Sequence, residues 1–390
     1  MYNLPSYKII LLCVLLLLVI MLAACSGDQA PETEKVTYSE AVASILYSTD
    51  VAGEGLGSGI SYLFLVKDDG SISVVKDRGL ELNSLIPYQD KLLLHQKSEL
   101  VEIQADSEIN RIEFQDCNAP SGYGQSSGVL EGPGYHYSLF NVGFTEDMSG
   151  YTSKIRWGDG KSNYCGEIGS FFETFGNDDE FIYLFSGDSV DPEKLNFRRV
   201  TLSDGEITES DPVELTSMES DARIMFTRFI PYKDRLLGIF SDSSLGNAEL
   251  KLLEINPEEP SDAKIHELKS YPGYSSDYFL YNKDSIHVHD GLIYYADGYG
   301  DVYAYDPEAE SLNKKFHFEN YTRTSMLQDE QVHFTDNLVY FFRKNQESGD
   351  HIIETYTLDG EKKSILPVKG IKEQIGKDSV HIYDFKMLVK

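Results

Sequence analysis

Tryptophan is almost missing from this chain: Trp157 stands alone among 390 residues. No repeated tryptophan motif can therefore organise the fold. Cysteine is scarce too, with four residues, and none of them has the short paired spacing that holds zinc. Basic residues are few, 34 Lys and Arg against 64 Asp and Glu, for a formal net charge of −30. A chain so acidic is repelled by nucleic acid and by anionic lipid headgroups, which excludes a nucleic-acid partner and a body lying flat on a membrane. Beyond the first 25 residues no long 3.6-residue hydrophobic period occurs, and this excludes alternating strands and helices.

The longest apolar run is Ile9 to Leu22, preceded by Lys8 and the amino terminus. It is shorter than the ~20 residues a membrane-spanning helix needs, and has the layout of an export signal. It ends in Leu22-Ala23-Ala24-Cys25, which resembles the lipobox of bacterial lipoproteins. The resemblance implies cleavage after Ala24 and a diacylglyceryl group on the Cys25 thiol. Residues 1–24 are thus expected to be a signal peptide, and the membrane is expected to be engaged through acyl chains on Cys25. Two chains hold durably where one holds marginally. The expected location is the extracytoplasmic side of the cell membrane; Ser26 would suit the outer membrane in a Gram-negative cell.

Residues 25–55 are expected to form the lipidated cysteine and a flexible acidic linker. Within it Thr37 and Glu40 have capping-box spacing, which predicts a short helix with Val42, Ile45 and Leu46 on one side, unless tertiary pairing draws the segment into a strand. Cys117 and Cys165 remain as an even pair in an oxidising compartment, either bridged or as two buried thiols.

Residues 56–390 repeat one pattern: an acidic turn residue followed at once by a short apolar and aromatic run. It occurs at Asp90, Asp179, Asp234, Asp290, Asp336 and Asp378, as in Asp290-Gly291-Leu292-Ile293-Tyr294. Asp, Asn and Gly suit tight turns, and the runs are rich in β-branched and aromatic residues and too short for buried helices. Gly132-Pro133-Gly134-Tyr135-His136-Tyr137 fills the one double-length gap. Repeats of this length with about four strands each predict an all-β propeller. Seven blades are expected, with eight as the alternative, and the run at Val380 to Tyr383 is expected to pair with the first unit and close the ring. His289-Asp290-Gly291-Leu292-Ile293-Tyr294-Tyr295 with Val302-Tyr303-Ala304-Tyr305-Asp306 resembles the blade repeat of bacterial quinoprotein-like and YWTD-like β-propellers. Quinone-using members carry a repeated tryptophan docking motif, which this chain lacks, so no cofactor is expected.

Candidate chemistry is sparse. Gly124-Gln125-Ser126-Ser127-Gly128 has nucleophile-elbow spacing, but it is predicted to be loop with no helix after it. His287 and His289 share a strand face, with Asp290 or Asp284 as further ligands, and Asp297, Asp301 and Asp306 surround a turn that could offer oxygens to Ca²⁺. Neither set has a complete metal spacing, so no metal and no catalytic residue is assigned. Asp191 with Glu193, and Asp178 with Asp179, are the acidic pairs considered for acid–base work. Tyr271, Tyr274, Tyr278 and Tyr281, with Tyr299, are the expected ligand face, because loop tyrosines give rigid amphipathic contact area. The leading expectation is a binding or scaffold module for a protein or cell-envelope glycan ligand. The alternatives are a glycan- or peptide-processing enzyme with a carboxylate pair in the central channel, and an envelope assembly or regulatory factor.

Overall fold

The computed structural model describes residues 37–388 apart from 51–58, 81–82, 107–108, 115–116, 118–122, 145–150, 188–193, 216–222, 226, 243–246, 274–281 and 324–328. The signal, Cys25 and the acidic linker to residue 36 therefore lie outside the described residues.

The turn aspartates begin strands as their chemistry suggests. Tyr88-Gln89-Asp90-Lys91 and Tyr232-Lys233-Asp234-Arg235 turn through positive φ at Gln89 (54°) and Lys233 (56°). At Asp290-Gly291 both residues are left-handed, with φ of 48° and 77°, the conformation a two-residue hairpin requires. Asp178 accepts from the backbone N–H groups of Glu180 and Phe181, holding the turn into Ile182–Gly187.

The strands assemble into seven antiparallel sheets, the blades of a propeller. The inner edges of blades 2 to 7 are Leu85–Tyr88, Tyr123–Leu130, Thr174–Asn177, the pair Arg223–Met225 and Ile230–Tyr232, Ile286–His289 and Glu330–Phe334. Blade 1 is assembled from both ends of the chain. His381–Met387 is its innermost strand and pairs with Ala41–Ser48, which pairs with Ser61–Lys67 and then Ile72–Asp77. The closing strand touches the innermost strands of blades 7 and 2, so the ring is complete. Seven blades are thus present, not eight.

Two boundaries differ from the expectation. Ala41–Ser48 belongs to the propeller, which begins before residue 56, and the aromatic run at Tyr62 is the third strand of its blade. The capping box does not form: Thr37 Oγ1 donates to the Glu40 side chain, 2.6 Å from Oε2, rather than either side chain bonding a backbone N–H, and the segment makes one 3₁₀ turn, Tyr38–Glu40. Pairing on both edges then draws the following residues into a strand, because the two-sided ladder and burial of all but Val42 outweigh a weak helical tendency. Among the described residues the α-helix is the short Ile371–Ile375, and no helix is long and apolar enough to cross a membrane.

The core lies between blades. Trp157 is fully buried between blades 3 and 4, where its Nε1 donates to Ser203 O at 3.0 Å. Gly176 marks a close approach of neighbouring inner strands. Its backbone bridges Phe229 across blades 4 and 5, and a Cβ there would meet Phe229 Cβ at 2.6 Å.

Candidate functional site

Residues two apart on a strand share a face, so charged residues at that spacing on an innermost strand lie together where the blade borders the channel. On the closing strand Asp384 and Lys386 have that spacing, and both meet polar residues from other blades. Lys386 Nζ binds Asp284, which precedes the innermost strand of blade 6, and lies 3.4 Å from Asp384 Oδ1. Arg228, which lies between the two inner-edge strands of blade 5, places Nε 3.0 Å from Asp284 Oδ1. His333 on blade 7 accepts at Nδ1 from Met387 N–H at 3.0 Å. Asp384 accepts from Leu85 N–H and Phe385 N–H, so its oxygens are spent on blades 1 and 2.

These groups border a cavity of about 310 Å³, at the small end of the range for ligand sites. Its polar wall is Arg228, Asp284, His287, His333 and Lys386, and its apolar wall includes Ile286, Val288 and Phe334. The electrostatics are those of a confined ion cluster. Burial alone would raise Asp284, but Lys386 and Arg228 hold its carboxyl well below the usual range. Burial pushes Asp384 up, whereas Asp284 and Asp384 keep Lys386 above the ordinary lysine value despite burial. Burial, with Lys386 nearby, pushes His333 down to about 3, and burial brings Lys283 down to about 8. His333 is therefore neutral at physiological pH. Because its Nδ1 accepts, its proton sits on Nε2.

The residues singled out from sequence have varied fates. His287 and His289 do share a face, with rings 6.3 Å apart, but His287 stacks on Phe334 and faces Asp336 O, while His289 lies beside Asp290. Among the described residues no metal-holding group of His, Cys, Asp or Glu exists. Asp297 is fully buried and accepts from Tyr271 OH and from the Tyr299 and Asp301 backbones. Asp301 is tied to Lys314, His317 and Tyr303, and Asp306 to the turn N–H groups of Glu308 and Ala309. Each carboxylate thus serves its own turn or ladder.

Tyr271 is 4% exposed and packs between blades 5 and 6, stacked under the exposed Tyr299 at 5.4 Å. It is an inter-blade core residue; Tyr274, Tyr278 and Tyr281 lie outside the described residues, as do Asp191 and Glu193. Asp178 is taken by its turn and by Tyr183 OH. The segment from Gly124 to Gly128 is part of strand Tyr123–Leu130 rather than a loop. Pairing with Tyr135–Phe144 overrides its glycine and serine content. Cys117 and Cys165 are joined as a disulfide between blades 2 and 3, with Cα atoms 6.2 Å apart.

Sequence reasoning missed Arg228, His333, Asp384 and Lys386. A signal existed for two of them: in Tyr383-Asp384-Phe385-Lys386-Met387 charges alternate with apolar residues on the strand expected to close the ring.

Comparison with known proteins agrees with this architecture. The chain is 22% identical over 364 residues to the uncharacterized protein YycP of Bacillus subtilis (strain 168), covering 88% of this chain and 87% of that one. Among solved structures it is similar to a hypothetical selenium-binding protein from Sulfolobus tokodaii. That match has a TM-score of 0.51 and 11% identity over 92% of this chain and 94% of the other. It is also similar to a quinoprotein alcohol dehydrogenase-like protein from Bacteroides thetaiotaomicron, with a TM-score of 0.43 and 10% identity over 84% of each chain. At 11% identity the Sulfolobus structure speaks for the fold alone. The model of the YycP β-propeller domain matches residues 36–388, and the chain belongs to that family.

Proposed function

We propose that this protein is a lipid-anchored, extracytoplasmic binding module that holds a protein- or envelope-derived ligand at the mouth of its central channel. The observation that carries the reading is the axial cavity, where four blades bring Arg228, Asp284, His287, His333 and Lys386 together. The Cys117–Cys165 disulfide suits an oxidising compartment outside the cytoplasm. The lipobox-like end of the signal supplies the tether. Channel carboxylates are present, as an enzyme of this shape would need, but Asp384 is spent on two backbone N–H groups and Asp284 on Lys386 and Arg228. Neither is positioned to move a proton at a substrate, which supports binding over hydrolysis.

The test is native mass spectrometry of the protein purified from its own cells, beside Val288→Trp, which fills the cavity. A mass adduct on the natural protein that is missing from Val288→Trp supports the reading. An adduct retained at full occupancy in Val288→Trp, or none on either protein, contradicts it.

A further inference from the structure

The cavity wall is unequal in what it can still bond. Arg228 places Nε 3.0 Å from Asp284 Oδ1 as an ion pair without hydrogen-bond geometry, so its Nε–H is unspent too, while its backbone N–H donates to Lys283 O. Among the described residues its two terminal guanidinium nitrogens have no partner, and the side chain is 36% open. His333 spends Nδ1 on Met387 N–H, and its Nε2–H has no partner among the described residues. Lys386 is occupied by Asp284 and Asp384, and each Asp284 oxygen already faces a cation. On the acceptor side, His287 Nδ1 alone is uncommitted among these groups, since His287 Nε2 faces Asp336 O. The unspent capacity is therefore mostly donor capacity, set against an apolar wall.

We infer that this cavity takes a small organic carboxylate. The inference rests on the binding reading above and names its ligand class. The terminal edge of the Arg228 guanidinium, whose Nε lies beside Asp284, is a planar fork that matches a carboxylate in a two-point hydrogen bond. His333 Nε2–H offers a third, neutral donor. Ile286, Val288 and Phe334 cover the carbon portion, which a bare oxyanion would leave unmatched. A cation finds no free carboxylate here. Inorganic phosphate carries more charge into a cluster whose two cations already face two aspartates, and it has no group for the apolar wall. The carboxylate could be that of a free acid or the carboxyl end of a peptide, because both present the same atoms.

The test is a ¹⁹F NMR titration of the detergent-solubilised mature protein with 4-fluorobenzoate and, as its neutral counterpart, 4-fluorobenzamide. The expected result is saturable binding of the benzoate, no comparable binding of the amide, and no displacement by inorganic phosphate. Displacement by hexanoate points to free acids, whereas displacement by acetyl-Ala-Phe but not by its C-terminal amide points to peptide ends. Arg228→Gln should weaken benzoate binding by about tenfold or more, the worth of one charge-assisted pair. Arg228→Lys should recover part of it, with thermal midpoints recorded to show that both variants fold. Equal binding of benzoate and benzamide, stronger binding of phosphate, no binding of any carboxylate at millimolar concentration, or an unchanged Arg228→Gln overturns the inference. If that happens while Val288→Trp still removes the adduct acquired in cells, the carboxylate class falls and the cavity reading stands.

Discussion

Arg156 is fully buried between blades 2 and 3, donating to the carbonyl oxygens of Gln96, Lys97 and Cys117 with its guanidinium between Phe114 and Phe140. Burial brings it down to about 10, still charged at neutral pH. Beside it His95 and His136 have rings 5.7 Å apart, and none of their four ring nitrogens has a hydrogen-bond partner among the described residues. Burial holds His136 near 4 and His95 well below its usual value. Both are neutral when folded, whereas the unfolded chain binds protons on them below about pH 6.5. The His136 contribution to stability should therefore fall as pH drops from about 6.5 through 4, since protons favour the unfolded state over that window, with His95 acting in the same direction. His136→Met removes one such group. Urea midpoints at pH 7 and pH 5 should show the natural protein losing about 2 kcal/mol more than the variant over that interval. Equal losses would mean that His136 is already protonated in the folded state. None of this was legible in sequence, because an unpartnered buried histidine is indistinguishable there from an exposed one.

At the level of single strands, legibility followed turn chemistry. Asp90, Asp234, Asp290 and Asp336 each precede the second strand of a blade, because tight turns select a few residue types whatever the surroundings. Ala41–Ser48 lacks such a turn before it and follows a capping-box spacing, Thr37 with Glu40. Its strand state comes from two neighbours, one of them more than 330 residues away in sequence. The closing strand was legible in part, through its aromatic run near the end of the chain. Its Phe385 is fully buried against Phe342 and His333. Phe385→Ala should cost about 3–5 kcal/mol, as a large cavity in a rigid core does. Since this strand joins the chain's two ends, the ring should lose its single unfolding transition along with that stability. A change in urea midpoint corresponding to under about 1 kcal/mol would show that the closing strand contributes little.

For the whole molecule, the sequence made the ring readable but concealed its axis. Blade number follows from counting turns, whereas the channel cluster draws Arg228, Asp284, His333 and Lys386 from four blades and exists only once the ring is closed. Of the expected aromatic face, Tyr271 packs between blades while Tyr299 is exposed, a distinction that also depends on the assembled ring. The proposed tether belongs to this scale too. Cys25→Ala removes the proposed acylation site and should move the protein from the membrane fraction to the soluble extracytoplasmic fraction. Unchanged retention in the membrane fraction would argue for another anchor. The axial site can be interrogated in intact cells by placing a photo-crosslinking residue at His287, on the cavity wall, and separately at Ser364, exposed on the outer strand of blade 7. A discrete crosslinked species is expected from position 287 and none in common with position 364. Crosslinks from position 364 alone would place the binding surface on the rim of the ring and contradict an axial site.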